Sequence, residues 1–190
     1  MTAPNTTDVH SSPSRGDSRR ADNPWDIEPM PADLIDSPLD FIFAEHHRQR
    51  EAASILTMLA DGEFDGEGVR ALIAFLETDF ARHIGDEELA LFPMLREHCL
   101  PEDNVERILA RLEDEHREDE ASLETATAIL VKSASRQQIG ENDKRRLRMF
   151  AEHIRQHLAL ENGVLLPIAR VRLRGNELGV LAEMLKARRL

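Results

Sequence analysis

The sequence predicts an all-α fold, an up-down-up-down four-helix bundle with a disordered or loosely docked N-terminal tail and a short C-terminal helix. Three observations predict it. Apolar residues recur at three- and four-residue spacing through four long stretches. Short clusters of Gly, Pro, Asn and Asp separate those stretches. Aromatic residues make up only 4% of the chain, while Ala, Leu, Glu and Arg are abundant, which favours helices over strands. At 190 residues the chain is long enough for one domain with a core and short for two.

The tail spans residues 1–36. Six of the nine prolines fall at or before Pro38, with Ser, Thr, Asp and Arg between them. Its one adhesive stretch is Trp25-Asp26-Ile27, which is expected to pack on the outside of the bundle or to meet a protein partner. The bundle and last helix occupy 37–190. Ser37-Pro38 is a start signal, serine as cap and proline in the first helical position. Leu39, Ile42, Phe43, Ile55, Leu56 and Leu59 then share a helical face. Asp61-Gly62 through Gly66 break that helix. A second begins near Gly66 and runs through Leu72, Phe75, Phe80 and Leu91, to end or kink at Phe92-Pro93. Pro101 opens the third, which carries Val105, Leu109, Leu112 and Leu130. Residues 133–142 form the next connection. The fourth helix carries Leu147, Phe150, Ile154, Leu158 and Leu165 and is expected to stop at Pro167. Gly175-Asn176 precedes a short helix over 177–188.

Composition excludes several classes of function. A net charge of -12 opposes nucleic acid as a partner, because phosphate binding needs a basic face. No apolar run approaches the roughly 18 residues of a membrane span, and the first twenty residues hold no apolar leader. Cys99 is the single cysteine and has no partner in the chain for a disulfide. The expected compartment is the reducing cytoplasm.

The helices also share a polar pattern. The second contains His83-Ile-Gly-Asp-Glu87 and then Phe92-Pro93. The fourth contains His157-Leu-Ala-Leu-Glu161 and then Leu166-Pro167. Both read H-x-x-x-E, followed at the same offset by an apolar residue and proline. The first and third helices share Glu45-His46 and Glu115-His116. The chain is therefore two helix pairs of one pattern. Residues four apart lie on one helical face, so His83 and Glu87 can reach one point, as can His157 and Glu161. Antiparallel packing carries these, with His46 and His116, toward a shared centre.

Six donors result, four imidazoles and two carboxylates. A single structural zinc takes four. The set suits two metals, each with two terminal histidines, joined by bridging Glu87 and Glu161 about 3.5–4 Å apart. Mixed imidazole and carboxylate donors with open positions favour two iron ions, with manganese or zinc as lesser candidates. A ferritin-like centre would need two E-x-x-H motifs; only Glu113-x-x-His116 fits.

The motif His83-x-x-x-Glu87-Glu88-x-x-Leu91-Phe92-Pro93 resembles the second-helix signature of the hemerythrin-like, or HHE cation-binding, family, over roughly residues 38–170. The resemblance implies a bundle around a non-haem di-iron centre, with His46, His83, His116 and His157 as terminal ligands and Glu87 and Glu161 as bridges. Oxygen-carrying members use a further histidine one turn from the third-helix one. Here the positions four before and four after His116 are Leu112 and Glu120. The four-histidine, two-glutamate set instead resembles bacterial members linked to nitric oxide, peroxide or iron-sulfur repair chemistry. Those often carry a cysteine-bearing domain ahead of the bundle, and no cysteine precedes it here.

Other residues need placing. His46 is preferred over His47 because it shares a face with Phe43 and Ala53 and matches His116 in the repeat. His153, one turn before His157, is expected as a core residue or a support to the ligands, with an extra ligand as the alternative. Glu120 is expected in solvent, or as a third carboxylate. His98 is expected outside the core, and His10 lies in the tail. Glu45, Glu115 and Glu152 are candidates to accept from the ligand imidazoles. Gly85 and Gly163 interrupt helices beside the ligand pairs; they either make room for a small ligand or a close helix, or are tolerated variation. Arg170, Arg172, Arg174, Lys186, Arg188 and Arg189 are expected as solvated helix ends that meet the acidic excess, with a docking patch as the alternative. The expected ligand is a small diatomic or peroxide; catalysis, sensing through the tail and plain zinc binding all remain open.

Overall fold

A computed structural model describes residues 23–31, 33–136 and 138–189. Residues 1–22, including His10 and most of the expected tail, and Ala32 lie outside the described part. Among the described residues the fold is all-α, built from five helices. We label them α1 (Pro38–Asp61), α2 (residues 66–98), α3 (Val105–Arg136), α4 (residues 141–172) and α5 (Asn176–Ala187).

Local chemistry sets the ends. Pro38 occupies the first turn of α1, as expected, but the Ser37 side chain makes no capping bond; its carbonyl accepts from Asp40 and Phe41 N–H instead. At the other end Gly62 takes φ +98, and the Glu63 N–H returns to Met58 O at 3.0 Å. That closure needs a left-handed residue, hence glycine. The Asp65 side chain caps α2 by accepting from Gly68 N–H at 2.6 Å. Pro101 opens a separate single turn, Pro101–Asp103, and α3 starts only at Val105, after Asn104 turns the chain at φ +49.

Neither Pro93 nor Pro167 ends its helix. Helix α2 runs as Gly66–Phe75, Leu76–Phe80, Ala81–Asp86, Glu87–Leu91 and Phe92–His98; the second and fourth segments are π-helical. Helix α4 runs as Glu141–Leu160, a π-helical Glu161–Leu165, and Leu166–Arg172. Each proline sits in the first turn of the segment after a π turn. The wide turn shifts the hydrogen-bond register, with Phe92 N–H going to Glu87 O and Leu166 N–H to Glu161 O. The wide turn opens the backbone just before the ring, where an α turn would set it against the carbonyl four residues back, so the helix continues.

The four long helices join two apolar clusters. One gathers Ile55, Leu56 and Leu59 of α1 with Leu72 and Phe80 of α2, Leu130 of α3, and Phe150 and Leu158 of α4. The other gathers Ile42 of α1, Leu91 and Phe92 of α2, Leu109 and Leu112 of α3, Leu165 of α4 and Leu181 of α5. Along the chain α1 passes from the second cluster to the first, α2 back, α3 forward and α4 back again. That alternation is the up-down-up-down order. Buried polar residues lie between the clusters on every long helix, with His46 and Gln49 on α1, His83 to Glu87 on α2, His116 and Asp119 on α3, and His157 and Glu161 on α4.

The segment before α1 is held along the bundle. Glu28 N–H donates to Glu51, and Arg48 donates to Glu28 O and to Asp79. Trp25 packs against the first cluster. A Cβ on Gly68 would lie 2.8 Å from Trp25 Cβ, so Gly68 provides the space for the indole.

Candidate metal centre

Both H-x-x-x-E motifs place their glutamate at the first residue of a π turn, Glu87 on α2 and Glu161 on α4. Glu87 and Glu161 keep α-helical register with His83 and His157, and the wide turn shifts only the residues that follow. His46, Glu87 and Glu161 are fully buried, and His83, His116 and His157 are 2–5% exposed.

Two buried donor groups result; a third cluster, Glu28, His47 and Glu51, lies at the surface. Donor atoms of His46, His83, Glu87 and Glu161 all lie within 4.8 Å of one another, as do those of Glu87, His116, His157 and Glu161. Both glutamates belong to both groups. The imidazole Nε2 atoms face the carboxylates. His46 Nε2 is 3.7 Å from Glu87 and 3.4 Å from Glu161. His83 Nε2 and His116 Nε2 lie 3.6 and 3.4 Å from Glu87 Oε2, and His157 Nε2 lies 3.2 Å from Glu161 Oε1.

Nε2 of His46, His83 and His116, and all four carboxylate oxygens of Glu87 and Glu161, are buried without a hydrogen-bond partner. So many orphaned polar atoms converging on one point would cost several kcal/mol unless a cation satisfies them. Every one is a metal-donor atom, so the residues present fit a metal.

The other ring nitrogens are all engaged. His83 Nδ1 lies 3.0 Å from Glu45, and His157 Nδ1 lies 2.9 Å from Glu115. His116 Nδ1 lies 2.9 Å from Glu88, and His46 Nδ1 lies 2.9 Å from Asn162 Oδ1. These acceptors hold the proton on Nδ1 and leave Nε2 free to coordinate. They follow the sequence repeat. The residue before each lone histidine supports the histidine of an H-x-x-x-E motif, and the residue after each motif glutamate supports a lone histidine. Glu45 and Glu115 match expectation. Glu152 instead accepts from Gln156. Glu88 and Asn162 were not legible as supports, although their adjacency to Glu87 and Glu161 was the available signal.

Charge coupling is strong in the metal-free site. Burial pulls the His83 pKa down, but the Glu87 and Glu45 carboxylates outweigh it and push it up to about 9. Burial opposes Glu161, Glu87 and Glu115 in the same way at His157, which rises to about 10. His116 is raised by Glu87 against its burial. Burial disfavours the charged form of Glu87, yet His83, His116 and His46 hold its carboxyl well below the usual range.

The remaining candidates separate cleanly. The His47 side chain is 57% exposed and meets Glu51, so His46 is the inward member of its pair. His153 stacks near His157, ring centroids 6.5 Å apart, and its Nε2 lies 3.2 Å from Asp119. It supports the site's edge and belongs to neither donor group. Glu120 is exposed, and Leu112 is buried in the second apolar cluster. His98 is half-buried at the end of α2. Gln49, three residues after His46, is 2% exposed with its Nε2 unpartnered, a buried donor the sequence did not single out.

The arginines Arg188 and Arg189 are not solvated ends. Both reach buried Asp86, at 2.7 and 2.6 Å, and Arg189 also holds Glu45 at 2.8 Å. Burial raises the Asp86 pKa against the pull of these two guanidinium groups. A Cβ on Gly85 would overlap Arg188 Nη2. Gly85 therefore makes room for that arginine, whereas a Cβ on Gly163 meets nothing within 4 Å. Arg172 likewise pairs with Asp103, at 2.7 Å.

A family model for the hemerythrin HHE cation-binding domain matches residues 37–169. The chain belongs to the hemerythrin HHE cation-binding family. The match spans α1 to α3, α4 up to residue 169, and every residue of the two donor groups. No curated protein matches the chain. Membership establishes a cation-binding bundle, and the described His/Glu groups of this hemerythrin-family chain could hold the metal. No described helix is long and apolar enough to cross a membrane.

Proposed function

We propose that this hemerythrin-family chain holds two iron ions, through His46, His83, Glu87, His116, His157 and Glu161, and binds, senses or reduces a small ligand such as O2, NO or peroxide. One observation carries the reading. The two four-residue donor groups share both glutamates, so each position gains two imidazoles and part of two bridging carboxylates. Four donors leave open positions on a metal that accepts five or six. Imidazole with carboxylate suits iron, and manganese or zinc less well given those open positions.

When bound, iron supplies electrons and open coordination positions. The chain's own residues do the rest. Glu45, Glu88, Glu115 and Asn162 lock the imidazoles in one tautomer and orientation. Glu87 and Glu161 bring two negative charges that offset the cations. The apolar clusters on either side, with Phe92 stacked 5.7 Å from His116, exclude water and favour small uncharged ligands. The proposed setting is a reducing cytoplasm, which keeps Cys99 a thiol.

The test is an anaerobic, ferrous-loaded sample exposed in turn to O2, NO and H2O2 while its optical spectrum is followed. A stoichiometric change with at least one of them is expected. Turnover of that ligand with a reductant present identifies an enzyme, and saturable binding without turnover identifies a sensor. No spectral response to any of the three overturns the reading in favour of a structural metal.

A further inference from the structure

The support around the four imidazoles follows the internal repeat with one break. Glu45 and Glu115 are equivalent in it, and so are Glu88 and Asn162, each directly after a bridging glutamate. Three of the four acceptors are carboxylates and the fourth is an amide. The break falls on one side only. His116 and His157 both donate to carboxylates, whereas His46 donates to the neutral Asn162 and His83 alone to a carboxylate.

The surrounding charges do not cancel that difference. Glu45 is paired with Arg189 and Glu115 with Arg111, one cation each. Arg189 is 18% exposed but shared with Asp86, and Arg111 is 62% exposed but serves Glu115 alone, so neither cation offsets the contrast between Glu88 and Asn162. Arg188 is taken up by Asp86, and His153 by Asp119. An imidazole whose N–H faces a carboxylate has a more basic Nε2 than one facing an amide.

We propose that the two metal positions are unequal, so that the His116/His157 position takes the first ion and the His46/His83 position, limited by Asn162, takes the second. The inference rests on the two-ion reading above. Loss of a support of this kind typically changes metal affinity by about 10–100-fold, so a preference of about tenfold or more is expected.

The test uses full-length protein labelled with nitrogen-15 in histidine and titrated anaerobically with zinc, a diamagnetic probe for both positions. At one equivalent the Nε2 signals of His116 and His157 should move while those of His46 and His83 stay. At two equivalents all four should move. The exchange variant, Glu88→Asn with Asn162→Glu, should reverse the order. Co-migration of all four signals at one equivalent, prior movement of His46 and His83, or an unchanged order in a folded exchange variant overturns the inequality alone. Saturation at one zinc per chain overturns the two-ion reading and the inequality with it. The wild-type titration decides the matter even where the exchange variant does not fold.

Discussion

Glu45 of α1 accepts a hydrogen bond from His83 of α2 at 3.0 Å, and its second oxygen is held by Arg189 at 2.8 Å. One buried carboxylate thus links the first two helices of the bundle to Arg189 just past α5, across the His83 ring from its free Nε2. Glu45→Gln keeps an acceptor for His83 but removes the charge. It should weaken metal retention by about tenfold, and Glu45→Ala by up to about 100-fold, in competition with a chelator. His98→Ala, remote from both donor groups, should leave retention unchanged. Equal losses in all three would contradict the assigned role of Glu45.

Metal uptake should release protons. In the metal-free protein His83 and His157 titrate at about 9 and about 10, so both are protonated at pH 7 and must be neutral to coordinate. Calorimetric titrations in buffers of different ionisation enthalpy should show about two protons or more released per chain at pH 7, with affinity rising as the pH does. Uptake with no proton release would contradict the imidazolium state of the metal-free site.

Stability without metal should fall on both sides of neutrality. The raised folded-state values of His83 and His157 stabilise the metal-free fold fully below their unfolded value near 6.5, and that contribution is lost as pH rises through about 9 to 10. Glu87, held low in the fold, contributes above its ordinary 4.5 and loses that contribution as pH falls further. Chelation should therefore lower the melting temperature at pH 7 and lower it further at pH 10. A metal-free protein that melts higher at pH 10 than at pH 7 would contradict the sign.

The two helical glycines should respond unequally. Gly163→Ala enters open space in an exposed turn and should stabilise by about 0.5–1 kcal/mol through helix propensity. Gly85→Ala meets only the far end of the flexible Arg188 side chain, which gives way while Arg189 keeps its bond to Asp86, so its gain should be smaller than that of Gly163→Ala. Melting temperatures of the two metal-loaded variants, measured side by side, check the pair.

What could be read from sequence was periodic. Apolar spacing revealed four helices, and H-x-x-x-E with its proline revealed the repeat, because both are written at intervals of three to seven residues. The continuation of α2 and α4 past Pro93 and Pro167 was hidden, since a proline predicts a stop unless the register has already changed at Glu87 and Glu161. Arg188 and Arg189 were misread as solvated because their partners, Asp86 and Glu45, lie about a hundred or more positions away in sequence. Glu88 and Asn162 are hidden as neighbours of ligands, because each meets the outer ring nitrogen of the same lone histidine whose inner nitrogen faces the glutamate before it.

The central claim is the two-ion centre, and metal content tests it most directly. Protein loaded anaerobically with iron, desalted, oxidised in air and assayed for iron per chain alongside its Mössbauer spectrum should hold about two irons in a coupled, diamagnetic pair. Glu87→Ala and Glu161→Ala, each removing a carboxylate shared by both positions, should drop below one. A single ion per chain, or zinc retained in preference to iron, would contradict the account.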